Sequence, residues 1–158
     1  MKIAGMELAG PRIETLVLPR QDKDIVIRAQ AVLDFDEFEK MCEEPKPEMR
    51  MVPGGGKVPV ITDEKYVEAL TKFAALKTHW MVLKSLEATP DLEWETVDKS
   101  DPTTWGNYKD ELKAAGFSFA EAAMIVRTVT DACGLNQAKI EEATALFLAG
   151  QVNQPKSV

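Results

Sequence analysis

The chain has one histidine, His79, and two cysteines, Cys42 and Cys133. One imidazole and two distant thiols give no ligand spacing for zinc. A single cysteine pair is no disulfide framework, and each thiol falls near the end of an expected helix, so buried free thiols are the reading. No apolar run approaches the roughly 18 residues of a membrane-spanning helix. Glu7 breaks any signal-like run in MKIAGMELAGPR, so the protein is expected to be cytosolic. Basic residues are the minority, 19 against 26 acidic, for a net charge of -7. Phosphate neutralisation needs a basic face, so nucleic acid is excluded as the expected partner, and an anionic membrane surface fits poorly. There is no internal repeat and no low-complexity tract.

What is present is ordinary for a folded domain: 45% apolar and 28% charged residues in a chain of 158. That length suits one domain, or one domain with a small appendage, and buries a core without staples. The spacing predicts one long helix over 63–88. Tyr66, Leu70, Phe73, Leu76, Trp80 and Leu83 recur at three- and four-residue steps on one stripe. Thr62 is its N-cap candidate, Asp63 and Glu64 suit the positive end of the helix dipole, and Thr89-Pro90 stops it. Met81, Val82 and Leu86 add a second apolar side. Such a helix is covered twice, by its own chain or by a partner's helix lying in a groove.

Upstream, 12–18 and 24–32 alternate as strands, and the polar 19–23 joins them as a hairpin. A small antiparallel sheet is expected, resting on a helix or a further strand. A short helix over 35–41 follows, with Asp34 and Glu37 spaced as a capping box. The stretch 43–57, with three prolines and three glycines, reads as a mobile loop, and 58–61 as a brief strand. Its Gly54-Gly55-Gly56-Lys57 fails as a phosphate loop, since Met51 and Val58 stand where glycine and Ser or Thr are required.

Downstream, 100–104 can open a short helix, and Trp94, Val97, Trp105 and Tyr108 are expected to clasp the end of the long helix. Ser118 and Glu121 form a capping box for a helix whose stripe is Phe119, Ala122, Val126, Val129 and Cys133. Asn136 caps a last helix over 137–148 with Ile140, Ala143 and Phe147 facing inward, making a helical corner or hairpin. The fold class is therefore α+β: a β-rich part with a short helix and loop over 1–61, a helical part over 62–150, and a polar, frayed tail over 151–158.

No residue set declares a chemistry. His79 has only Ala75, Leu76, Val82 and Leu83 at helical spacing, so it is a structural or surface histidine. The pairs Glu37/Glu39, Glu43/Glu44, Glu93/Glu95 and Glu141/Glu142 read as solvated charge, and 91–101 lacks the ligand pattern of an EF-hand. A DNA-reading helix is opposed by Glu141 and Glu142. No GxSxG nucleophile motif occurs. No catalytic, metal or cofactor site is expected, and the protein reads as a non-enzyme.

The runs HWMVLKSLEATPDLEWETVDKSDPTTWGNY (79–108) and ELKAAGFSFAEAAMIVRTVTDACGLNQAKIEEATALFLAG (111–150) carry a resemblance, with LVLPRQDKDIVIRAQAVLDFDEFEKMCEEPKP (16–47) upstream. They resemble small proteins encoded in tailed-phage and prophage tail operons, most of all the tail assembly chaperone. That resemblance implies a non-enzymatic protein in the host cytoplasm that holds the helical tape-measure protein and helps recruit major tail protein. It could act as a homo-oligomer. The alternative is a structural component kept in the virion, such as a minor tail, connector or head-completion protein. Apolar patterning alone nominates Phe73, Trp80, Met81, Leu83, Ile140 and Phe147 as partner-binding residues.

Overall fold

The computed structural model describes residues 1–153, with side chains through Gly150. The fold is α+β. Strands β1 (Lys2–Ile3) and β2 (Met6–Glu7) pair antiparallel across Ala4 and Gly5, both at positive φ, the backbone that a tight hairpin turn demands. Strands β3 (Ile13–Leu18) and β4 (Ile25–Gln30) form the expected longer hairpin, with Leu16 opposite Ile27 and Leu18 opposite Ile25. Period-two alternation sends Leu18, Ile27 and Ala29 into the core and leaves Ile13, Val17 and Val26 exposed.

Helix α1 (Asp36–Met41) starts as anticipated but without a capping box. Asp34 Oδ1 accepts the Asp36 N–H, while Glu37 pairs with the ammonium of Lys84, 3.3 Å distant. The helix starts with Phe35 at the N-cap, so Glu37 falls one position short of closing a box. The stretch expected to be a loose loop holds a third hairpin, β5 (Met49–Met51) with β6 (Lys57–Pro59). Its glycines make the turn: Gly54 and Gly55 take positive φ, and Val52 N–H donates to Gly56 O at 2.8 Å. The expected single sheet is therefore three separate two-stranded hairpins.

Helix α2 (Glu64–Leu86) is the long helix, capped by Asp63 rather than Thr62. Its C-terminal half is buried on two sides, through Trp80, Val82, Leu83, Ser85 and Leu86. Ser85 Oγ donates to Gln30 O at 2.7 Å, and Thr89 Oγ1 both accepts from Arg28 N–H and donates to Arg28 O. These hydroxyls, one helical turn apart, close the free edge of β4 where a third strand would otherwise pair. On its other side α2 receives a 3-10 turn over Pro102–Asn107, capped by Asp101, and α3 (Tyr108–Ala114). Trp105 and Tyr108 are buried there, with Trp94 and Val97 packed beside them, as the sequence suggests.

An aromatic cluster joins these layers. Phe38 is fully buried, with ring centroids 5.3 Å from Phe73, 6.1 Å from Trp80 and 6.1 Å from Trp105. His79 lies edge-on to Tyr108, 5.6 Å between centroids, and its Nε2 faces Gly106 so closely that a Cβ there would sit 3.4 Å away. Burial, aided by the charge of Lys109, pushes the His79 pKa down. It is a packing residue.

Helix α4 (Phe119–Ala132) lies across β3 and β4, and α5 (Gln137–Asn153) follows it. The polar tail expected over 151–158 lies outside the described side chains. Among the described residues no helix is long and apolar enough to cross a membrane.

Truncating Phe38 empties the junction of α1, α2 and the 3-10 turn. Phe38→Ala is expected to lower unfolding free energy by about 3–5 kcal/mol, read as a fall in urea midpoint at unchanged m-value. A loss under about 1 kcal/mol contradicts the central role given to this ring.

Candidate functional site

The surface that stands out is built around α4. Helix α3 ends at Gly116, at a φ of 92° that only glycine adopts without strain. There Gly116 N–H donates to Lys113 O and Phe117 N–H to Leu112 O, a Schellman-type stop that turns the chain sharply. Two residues later Ser118 and Glu121 form the reciprocal capping box that the sequence announces. Arg20, from the turn between β3 and β4, locks this corner. Its Nη1 lies 2.6 Å from Glu121 Oε2 and its guanidinium sits 5.3 Å from the centre of the Phe117 ring. The Arg20 hydrogen bond and the Ser118 N–H hold the Glu121 carboxyl below the usual range.

The corner leaves an open groove of about 650 Å³ between α3 and the first turns of α4. Leu112, Phe117, Ala122 and Val126 supply apolar lining, and Lys109 and Lys113 stand along it. Phe119 is 93% exposed at its rim. Of the expected stripe for α4, Val129 is fully buried and Ala122, Val126 and Cys133 are half-buried at the margin of the buried face, while Phe119 points out. The centre of the buried face is Ile125, Thr128, Val129, Asp131 and Ala132. Two polar members of the true face are satisfied locally, Thr128 by Met124 O and Asp131 by the next helix.

Asp131 anchors α5. Its Oδ2 lies 2.5 Å from Lys139 Nζ and its Oδ1 accepts from Asn136 Nδ2 at 2.9 Å, while Asn136 Oδ1 caps the Lys139 N–H. The Lys139 and Asn136 bonds hold the Asp131 carboxyl below its ordinary pKa. Beyond this anchor α5 does not fold back along α4. Every residue from Gln137 to Gly150 is exposed, and Leu146, Phe147 and Leu148 stay at 54–67% exposure. Of the expected inward face, Ile140 and Ala143 line a shallow cleft beside Arg12 and Asp131 yet stay exposed, Phe147 lies outside it, and the compact helical hairpin is not formed. After Glu142 the helix carries no charge as far as Asn153.

The nominated partner-binding residues separate accordingly. Trp80 and Leu83 are buried in the chain's own core, and Phe73 and Met81 pack against it half-buried. The two apolar sides of α2 are explained by its own fold, which withdraws Trp80 and Leu83 from a partner. Ile140 and Phe147 are exposed on α5. The groove was missed, although one signal was available. Phe117 and Ala122 occupy the N′ and N4 positions of a hydrophobic staple, so Phe119 at the first helical position has no local apolar role.

Among the described residues no cluster of His, Cys, Asp or Glu could hold a metal ion. Both cysteines are free and half-buried. Glu111 binds the 95–96 backbone: it accepts from Glu95 N–H at 2.6 Å and Thr96 Oγ1 at 2.8 Å. Partial burial would raise its pKa, but these bonds outweigh it and hold the carboxyl low. No protein-family model, no curated protein and no solved structure matches this chain.

A depressed carboxylate pKa stabilises the fold above the unfolded value, about 3.9 for Asp, and that contribution is lost as pH falls through the folded value. The anchor of α5 is therefore intact at neutral pH and released in acid. Asp131→Asn is expected to speed amide hydrogen exchange in the first turns of α5 at pH 7 while exchange in α2 stays unchanged. Equal exchange in wild type and variant contradicts the anchor.

Proposed function

We propose that this protein is a non-enzymatic assembly factor that binds protein helices, and that it serves as a tail assembly chaperone of a tailed phage or prophage in the host cytoplasm. The observation that supports binding is α5: a helix held out by one buried anchor, uncharged beyond Glu142, with Leu146, Phe147 and Leu148 exposed together. An exposed apolar run such as Leu146–Leu148 on a helix in water marks a surface that a partner covers in the working state. The groove between α3 and α4 adds a second apolar surface of the shape that accepts a helix. The chaperone assignment, with tape-measure protein as client and major tail protein as the subunit recruited, rests on the sequence resemblance of 16–47, 79–108 and 111–150. A long helical client presents apolar stripes of the kind that α5 can cover, and the surplus acidic charge keeps such a complex soluble.

A connector or minor tail protein is the second reading. It is favoured by the three appendages, β1–β2, β5–β6 and α5, which expose Met6, Met51 and Phe147 and could lodge in neighbouring subunits. Co-expression with the longest helical protein encoded beside this gene, followed by affinity capture, tests the proposal. Co-purification, loss of at least about tenfold in captured client on Phe147→Asp, and absence from finished particles by mass spectrometry are expected. Presence in particles at fixed copy number replaces the chaperone with the virion component.

A further inference from the structure

We infer that α5 of one copy docks in the α3–α4 groove of a second copy, so that the free protein associates with itself. This rests on the reading of α5 as a binding helix and names its partner in the absence of client.

The chain carries an exposed apolar arm and an open, half-buried apolar groove, and they differ in shape. One is convex, the 143–150 segment of α5; the other is concave, the groove lined by Leu112, Phe117, Ala122 and Val126 with Phe119 at its rim. Their lengths agree. Eight helical residues span about 12 Å, and the Tyr108–Lys113 stretch of α3 that supplies one wall spans about 9 Å. Their charges agree too. The groove bears Lys109 and Lys113 against one acid, Asp110. The arm bears Glu141 and Glu142 just before its apolar run, and its one lysine, Lys139, is already paired with Asp131. Glu142, Ala145, Leu146 and Ala149 share one helical stripe, so a Glu142 placed near Lys109 or Lys113 carries Leu146 and Ala149 into the apolar lining.

The arm does not serve its own groove. The groove lies at the start of α4, whereas Asp131 and Asn136 hold the arm at the end of that helix, and 137–150 is fully exposed. The same helix from a second molecule meets no such constraint. Arm and groove are different patches, so the contact is heterologous. It closes as a reciprocal dimer or a ring, or runs on as a filament, according to the angle between copies. A client helix that binds α5 competes with this contact.

Sedimentation velocity of the full chain, from low to high micromolar concentration, tests the inference. Wild type is expected to associate. Ala123→Arg, at an exposed helical position in the groove, and Glu142→Lys on the arm are each expected to weaken association by about tenfold with unchanged circular dichroism and melting temperature. Lys113→Glu alone does the same, and mixing it with Glu142→Lys restores association, because each mutant arm then meets an opposite charge. A wild type that stays monomeric throughout, or association indifferent to Ala123→Arg and unrestored by the mixture, overturns the inference. Client capture is read separately. A monomeric wild type that still captures client removes self-docking and leaves the assembly-factor reading. Groove-dependent association without client capture does the reverse.

Discussion

The burial of the C-terminal half of α2 between β3–β4 on one side and the 3-10 turn with α3 on the other sets the rest of the molecule. A two-stranded hairpin is marginal alone and a single helix is marginal alone, so the β3–β4 hairpin and the 3-10 turn are stable because α2 covers them. The contact is polar as well as apolar. Ser85 and Thr89 give β4 the edge partners that a third strand would have supplied, while Trp80 and Leu86 fill the space beneath. Phe38 then draws α1 into the same centre, where Glu37 pairs with Lys84.

The same arrangement explains what stays outside. With both sides of α2 occupied and α4 laid over the hairpin, no long apolar face remains in the body to receive α5. The anchor through Asp131, Asn136 and Lys139 uses only the first turn of α5. Everything after it projects. The groove has a related origin: the stop at Gly116 and the restart at Ser118 force α3 and α4 apart at an angle that no side chain of the body fills.

Much of this architecture was legible in the sequence because it follows from local chemistry. The long helix, the 19–23 turn and the Ser118–Glu121 box all appear where residue type and spacing place them. At Asp34–Glu37 the helix starts one residue later than the spacing suggests, with Phe35 at the N-cap, so Glu37 is not placed to close a box and pairs with Lys84 instead. On α4 the expected stripe is right from Ala122 onward, and only Phe119, at the first helical position, points away from the body. On α5 the pattern 140, 143, 147 suggests an inward face, but whether a body exists for it to meet is a tertiary fact. The binding surface was half legible for the same reason: Ile140 and Phe147 were found as apolar residues, Trp80 and Leu83 were claimed by the core, and the groove depends on an angle between two helices that no single segment encodes.

Projection of α5 bears on how tightly it should bind. Its alanines favour the helix, but a 17-residue helix anchored by one turn gains little from packing, and isolated helices of this length are marginal in water. Part of the free energy of docking is therefore spent on ordering the arm, so affinity per unit of buried area falls below that of a rigid surface. A structural joint built to last is better served by a preorganised face. On the proposed reading, an arm whose helix gains stability on docking suits a partner that must be held and then released, whether a second copy or a client helix, and that is the physical ground for proposing transient assembly over a permanent place in a particle.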